Sequence, residues 1–355
     1  MANQITIALD CMGGDNAPLI VLRGAEAIAT NKEHTNNVKF LLFGDSARIQ
    51  PILANCPSLA KICVFTHTPD VITADEKPSV ALRKGTKSSM RLAIDAVKNG
   101  EADVAVSAGN TGALMAISKV ILRPLDGIDR PAIVTAIPNR KQKATVLLDM
   151  GANVECDANV LYQFAIMGHA FAKAVMRLED PTVGILNIGS EELKGNEAVK
   201  NAAAILKESH LKNVFHGYVE GDDITKGTVD VVVTDGFSGN ITLKAIEGTA
   251  KMMVGTVKDA FTNSFLAKIG YIFCVLSIKK AFKRMDPRLH NGAMLVGLNG
   301  VVVKSHGGTD AIGFANSIKV AISLVENKIN EQIMHELKSS SDLQAQNSNS
   351  SCNQL

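Results

Sequence analysis

The chain has no tryptophan, three tyrosines and only 4% aromatic residues. Stacking platforms for single-stranded nucleic acid need aromatic faces, so that function class has little to stand on. An excess of one charge is also missing: 37 Lys and Arg face 35 Asp and Glu, a formal balance of +2. A broad nucleic-acid-binding surface needs a basic patch or stripe, which this balance does not supply. The six cysteines, Cys11, Cys56, Cys63, Cys156, Cys274 and Cys352, form no CxxC pair. A structural zinc site therefore has no ligand pair to start from, and the length excludes a disulfide-stapled miniprotein. The uncharged stretch between Lys268 and Lys279 is ten residues long, whereas a spanning helix needs about 20. The start, MANQITIALD, has neither a basic region nor a long apolar core. It reads as a first strand rather than a signal peptide, and a cytoplasmic location is expected.

What the chain does have is 355 residues, 46% of them apolar, and 28 glycines. Short branched-aliphatic runs predict strands over Ile5–Leu9, Val38–Phe43, Ile62–Phe65, Val104–Val106, Ala132–Ala136, Val146–Leu148, Val183–Asn187, Val229–Thr234 and Val301–Lys304. Several are apolar at consecutive positions, the mark of a strand covered on both faces. Helical periodicity fills the gaps over Leu19–Thr30, Ser89–Lys98, Gly112–Leu122, Val160–Arg177, Glu197–Lys207, Ile241–Lys258 and Ala311–Asn327. The alternation predicts a three-layer α/β/α, Rossmann-like open sheet. No repeat or Gly/Ser linker divides it, so residues 1–338 are expected as a single α/β catalytic domain. The polar end, residues 339–355, is expected to be a disordered tail.

The punctuation is more informative than the strands. Six polar glycine loops each follow a predicted strand: Asp10-Cys11-Met12-Gly13-Gly14-Asp15, Ser107-Ala108-Gly109-Asn110-Thr111-Gly112, Asp149-Met150-Gly151-Ala152-Asn153, Ile188-Gly189-Ser190-Glu191-Glu192, Asp235-Gly236-Phe237-Ser238-Gly239-Asn240 and Ser305-His306-Gly307-Gly308-Thr309. Open α/β sheets bind ligands outside the carboxyl ends of their strands, so one shared cleft is expected. None of the loops matches GxGxxG or GxxxxGKS. Still, glycine lets the backbone approach closely and the first helical N–H groups point at the ligand, which is the physics of an anion site. A tight turn uses glycine for the same reason, but several such loops together favour a phosphate-sized anion.

Lys194, Lys304 and His306 are the candidate cations and proton carriers beside these loops. The bland readings are a solvated helix start for Lys194 and a loop or capping histidine for His306. Asp10, Asp15, Asp149 and Asp235 stand at strand ends and could in principle hold Mg²⁺. Each also sits where a carboxylate caps a helix or fixes a turn, so no metal is assigned. There is no GxSxG elbow. Cys11 is the thiol within a candidate loop, and a strand-end Cys is more often simply buried.

Together, DCMGGDNAP at 10–18, SAGNTGA at 107–113, LLDMGAN at 147–153, NIGSEELKGNE at 187–197, DGFSGNITLK at 235–244 and VKSHGG at 303–308 resemble the bacterial phosphate acyltransferases of phospholipid synthesis, the PlsX family. The resemblance runs from the first strand to about residue 330. It implies a fold related to phosphotransacetylases and isocitrate-dehydrogenase-like proteins. It also implies reversible transfer of a long-chain acyl group from acyl-carrier protein (acyl-ACP) to inorganic phosphate. The acyl phosphate then feeds a membrane glycerol-3-phosphate acyltransferase. Family members are homodimers, associate peripherally with the membrane and use no organic cofactor.

On that resemblance the expected roles are these. Lys194 and His306 stabilise charge at the carbonyl or the leaving thiolate. Phosphate and the rest of the substrate are held by Asp10, Gly13, Gly14, Asp15, Ser107, Asn110, Thr111, Gly112, Asp149, Asn153, Asp235, Ser238, Asn240 and Lys304. In this set Asn110, Thr111, Ser238 and Asn240 add side-chain donors and the aspartates orient donors. Phosphate is already an oxyanion, so direct attack needs no protein nucleophile. The segment 261–288 is expected to protrude as a helix facing membrane or ACP. Phe265, Ile272, Phe273 and Leu276 form its apolar side, and Lys268, Lys279, Lys280, Lys283, Arg284 and Arg288 its basic frame. A short-chain phosphotransacetylase using acyl-CoA, a metal-dependent NAD(P) dehydrogenase on a similar fold and a non-catalytic membrane binder are the alternatives. The candidate loops hold no arginine for the carboxylate site a dehydrogenase would need.

Overall fold

The computed structural model describes residues 4–31, 37–284 and 286–352, without the side chains of residues 265, 279–284, 287 and 341–352. The chain opens with β1 (Ile5–Asp10), α1 (Leu19–Ala29), β2 (Val38–Gly44), α2 (Ser46–Leu53), α3 (Pro57–Ile62), β3 (Cys63–His67), α4 (Pro78–Lys84), α5 (Ser89–Lys98), β4 (Val104–Ser107) and α6 (Thr111–Leu122). It continues through β5 (Ala132–Pro138), β6 (Ala144–Leu148), α7 (Ala158–Met176), β7 (Val183–Leu186), α8 (Glu197–Glu208), β8 (Phe215–Val219), α9 (Gly221–Lys226) and β9 (Val231–Val233). It closes with α10 (Gly236–Thr262), α11 (Phe265–Arg284), a 3-10 turn (Pro287–His290), β10 (Ala293–Val296), β11 (Val301–Lys304), α12 (Ala311–Glu326) and α13 (Ile329–Cys352).

Among the described residues the strands form an 11-stranded sheet in the order β3-β2-β1-β4-β11-β10-β5-β6-β9-β7-β8. The strands from β3 to β11 are parallel. Those from β6 to β8 are parallel to one another. The antiparallel pairs β11–β10, β10–β5 and β5–β6 reverse the direction between these two halves. Each half therefore presents its carboxyl ends at its own edge of the sheet, and the two edges are opposite.

Consecutive apolar strand residues feed two cores, because successive side chains leave opposite faces. Ile7, Leu9, Val146, Leu148, Val301 and Val303 pack in one core with Val21 of α1, Phe164 of α7, Phe314 of α12 and Ile333 of α13. Ala8, Leu147, Val232 and Val302 pack in the other with Ile94 of α5 and Leu114 of α6. This is the expected three-layer α/β/α arrangement.

Two differences from the sequence reading have local causes. α13 continues as far as Cys352 over the stretch expected to be a disordered tail, and residues 353–355 of that stretch lie outside the described residues. It holds no glycine or proline to stop a helix, and buried Ser340 is anchored by the hydroxyl of Tyr162 at 2.5 Å. The strands β8 and β10 were not foreseen: β8 (FHGYV) is broken by a histidine and a glycine, and β10 (AMLV) has a single β-branched residue. No described helix is long and apolar enough to cross a membrane.

Candidate active site

The contacts sort the six glycine loops into two groups rather than one. The loops after β1, β4 and β11 form the first. Asp10 is buried, and its carboxylate accepts from Ser89 Oγ and Ser107 Oγ, each at 2.6 Å, and from the Met12 N–H at 3.3 Å. Burial still pushes its pKa upward against these hydrogen bonds. Ser107 Oγ accepts in turn from the Gly109 N–H at 3.0 Å, which sets the start of the SAGNTGA loop. A Cβ on Gly13 would lie 2.4 Å from Asp10 Oδ2 and 2.7 Å from the Gly109 nitrogen, so only glycine lets these two loops meet. The Asp15 N–H donates to Gly307 O at 3.0 Å and brings in the third loop.

Lys304 is folded into this group. Its ammonium contacts the carbonyls of Ala108 and Ser305. Burial pulls its pKa down to about 8, partly opposed by the negative charges of Asp10 and Asp15. The Ala108 loop that it contacts runs on into α6 at Thr111. Asn110 caps that helix, its Oδ1 accepting from the Ala113 N–H at 3.0 Å. The N–H groups of Thr111 and Gly112 precede the first helical bond and face outward at exposed positions. His306 is exposed. Its Nδ1 accepts from the Gly308 N–H at 3.1 Å, so in the neutral ring the proton sits on Nε2, toward solvent. A part-buried ammonium, two open N–H groups and an imidazole N–H together can hold a phosphate-sized anion.

The loops after β6, β7 and β9 form the second group. Asp149 is fully buried. Its Oδ1 accepts from the N–H groups of Ile133 at 2.9 Å, Ala152 at 3.1 Å and Gly151 at 3.2 Å. Its Oδ2 accepts from the Asn153 N–H at 2.7 Å and Asn153 Nδ2 at 3.0 Å. Asp235 caps α10 and takes both the N–H of Ser238, at 2.7 Å, and its hydroxyl, at 3.1 Å. A Cβ on Gly239 would lie 1.9 Å from the Asp149 carbonyl oxygen, so glycine is obligatory where α10 crosses that loop. Val154, Glu155, Cys156, Asn196, Asp235, Phe237 and Ser238 line a cleft of about 360 Å³ here. Exposed Ile188, Leu193 and Ile241 lie on the same loops and the start of α10. A molecule with an apolar and a polar part suits such a rim.

Several expected donors are already occupied. The Asn110 amide donates to the carbonyls of Thr73, Ala74 and Glu76. That of Asn153 donates to Pro131 O and Asp149, and the Ser238 hydroxyl is held by Asp235. These side chains build the loops rather than face a ligand, which corrects the donor role expected of Asn110 and Ser238. Thr111 and Asn240 are exposed, and among the described residues their side chains have no hydrogen bond. Lys194 lies on the second group's side, 2.7 Å from Glu191, whose hydrogen bond raises its pKa. No hydrogen bond or ion pair among the described residues joins the two groups, so Lys194 and His306 do not share one network. No described group of three or more His, Cys, Asp and Glu is placed to hold a metal ion. The thiols near the loops are poor nucleophiles. Burial pushes Cys11 well above the usual thiol range. Burial, with Asp149 and Asp235 nearby, pushes Cys156 up to about 12.

Two residues of the first group escaped the sequence reading. Ser89 opens α5, far from any glycine loop. Asn291 precedes β10; its Oδ1 accepts the His306 N–H at 2.9 Å and its amide donates to Ser305 Oγ at 2.8 Å. Because β10 is antiparallel, its amino end reaches the edge where β4 and β11 end. Nothing in a single sequence marks that.

The family described as "Fatty acid synthesis protein" matches residues 5–332. The phosphate acyltransferase of Paramagnetospirillum magneticum is 53% identical over 336 residues, 95% of each chain. That of Rhodospirillum centenum is 54% identical over 337 residues, 95% of this chain and 94% of its own. The chain belongs to the PlsX family of phosphate acyltransferases. It is an enzyme of acyl transfer in lipid biosynthesis. Among solved structures, a phosphotransacetylase from Streptococcus pyogenes superposes with a TM-score of 0.61 at 17% identity, covering 91% of this chain and 94% of that one. The EutD phosphotransacetylase of Staphylococcus aureus gives 0.56 at 17% identity, covering 91% and 94%. At such identity the likeness concerns the fold of the acyltransferase alone, and it matches the phosphotransacetylase-like architecture expected from the loops.

Proposed function

We propose that the enzyme reversibly transfers a long-chain fatty acyl group from acyl-ACP to inorganic phosphate. A phosphate oxygen attacks the thioester carbonyl, the C–O bond forms, the C–S bond breaks, and the carrier leaves as a thiolate that takes up a proton. The observation that carries this reading is the part-buried Lys304 ammonium, held against the Ala108 carbonyl in the loop that leads into α6. A buried cation next to a helix start is worth more to an anion than an exposed one, because little water screens it. Nε2–H of His306 is the group we assign to the developing oxyanion or the departing thiolate. Aspartates 10 and 149 orient the loops; neither needs to move a proton. The acyl phosphate would then be consumed by a membrane glycerol-3-phosphate acyltransferase.

The same reading includes a cytoplasmic homodimer resting on the inner face of the membrane. Leu266, Ile269, Tyr271, Ile272, Phe273 and Leu276 are all exposed on α11, with Lys268 among them. The side chains of Phe265, Lys279, Lys280, Lys283 and Arg284 lie outside the described ones. Arg288 is engaged elsewhere, with Asp286 at 2.6 Å and Asp310 at 3.0 Å, so it does not belong to the basic frame.

The decisive assay incubates the enzyme with palmitoyl-ACP and phosphate without added metal and traps acyl phosphate with hydroxylamine. Phosphate-dependent loss of thioester with hydroxamate formation is expected. Thioester that is stable to phosphate would defeat the proposal, and hydroxamate from palmitoyl-CoA but not palmitoyl-ACP would favour the short-chain phosphotransacetylase alternative.

A further inference from the structure

The run from Lys77 to Lys87 holds Lys77, Arg83, Lys84 and Lys87 and no acidic residue. All four side chains are exposed, and none has an ion pair among the described residues. Some lysines elsewhere on this surface do find a near neighbour of opposite charge, as Lys226 with Asp222 at 2.7 Å, Lys244 with Glu247 at 2.9 Å and Lys328 with Glu331 at 3.0 Å. Asp70 and Glu76 share a cleft with Lys84, yet none of the four cations has a carboxylate within ion-pair distance among the described residues.

The segment is fastened to the first loop group at both ends. At its start the Asn110 amide donates to Glu76 O at 2.8 Å, and Pro78 packs against Gly112, where a Cβ would lie 2.9 Å from Pro78 Cγ. At its end Ser89 reaches Asp10 at 2.6 Å. Between them Thr68 Oγ1 donates to Lys87 O at 2.5 Å and Ser88 Oγ to Gly85 O at 2.7 Å. A set of unpaired cations is thus mounted on fixed backbone along the rim of the Lys304 site.

We propose that Arg83, Lys84 and Lys87, with Lys77, form the docking surface for an acidic carrier protein that delivers the acyl thioester; this rests on the acyl-ACP reading above. A carrier must stand at the rim for its thioester arm to enter the phosphate site. Complementary charge speeds and orients such an encounter, and a fixed backbone lowers the ordering cost. This assigns carrier docking to the 77–87 run, leaving α11 for other contacts.

The test compares wild type with R83E/K84E/K87E on palmitoyl-ACP and on a palmitoyl ester of a short neutral thiol. The variant should raise KM for palmitoyl-ACP about tenfold or more. It should flatten the salt dependence of kcat/KM and keep kcat/KM for the short thioester within about twofold. An unchanged KM for palmitoyl-ACP in a folded variant overturns the proposal. So does an equal loss on the short thioester, which would mean that the active site itself was disturbed. K268E on α11 is the comparison, and a larger rise in carrier KM there also overturns it. Wild type inert toward both thioesters would instead sink the acyltransfer reading on which this one rests.

Discussion

At Lys304 two forces oppose each other. Removal from water favours the neutral amine, while Asp10 and Asp15 favour the ammonium, and the balance leaves its pKa near about 8. The free enzyme therefore carries this charge at pH 7 and loses it as pH rises through about 8. Bound phosphate should draw the proton back, so kcat/KM for phosphate should fall with rising pH, by about tenfold between pH 7 and pH 9. The Lys304→Met enzyme should be weaker at pH 7 and lack that fall, apart from any due to phosphate itself. A wild-type profile flat to pH 9.5 would remove Lys304 from phosphate binding. The sequence placed Lys304 in a candidate loop by its glycine neighbours. It could not say that Lys304 is drawn in among the loops and Lys194 paired on the surface, because both stand at or just after strand ends in similar polar contexts. Burial comes from tertiary packing of the β1, β4 and β11 loops, which single-residue patterns do not encode.

The same limit operates on whole elements, and α13 is the clearest instance. Its sequence is polar toward the end, yet Glu336 lies buried between α7 and the α8–β8 connection. Its carboxylate is 3.3 Å from His169 Nδ1, 3.2 Å from Lys173 Nζ and 3.1 Å from His210 Nε2. Burial alone would raise its pKa. The hydrogen bonds from His169 and His210, with the charge of Lys173, overcome that and hold it far below the usual carboxylate range. A depressed folded value contributes stability above the unfolded pKa, near about 4.3. That contribution fades as pH falls below this and toward the folded value. Glu336→Gln should thus cost about 3 kcal/mol at pH 7 and progressively less below about pH 4, measured by urea unfolding. A cost that is constant from pH 7 to pH 3 would show that the charge is not what holds α13. Helices with a strong period, such as α1, α5 and α12, were legible almost to the residue. The short α2, α3, α4 and α9 were not, since six to eight residues give barely two turns of pattern.

For the whole molecule, the strand list was readable but the reversal between half-sheets was not. Strand direction depends on which neighbours pair, and the short β10 that effects one reversal gave no signal. The consequence is two loop groups where one was expected, and a pair of helices that the monomer leaves uncovered. Of the 27 residues in α10, only Gly236 and Gly239 are buried, while Ile241, Met252, Met253 and Val254 are exposed. Soluble monomers rarely leave apolar patches of that kind open. A second copy along α10 and lipid along α11 would cover them, and the two coverings can be separated. In sedimentation equilibrium the wild type should run at twice the chain mass of 37.7 kDa, and a folded M252D/M253D variant should run as a monomer. Phe273→Asp with Leu276→Asp should leave the dimer intact but abolish co-sedimentation with anionic vesicles. Were the α10 variant to stay dimeric, the interface would lie elsewhere. Were the α11 variant to bind vesicles undiminished, the lipid contact would not be on that helix.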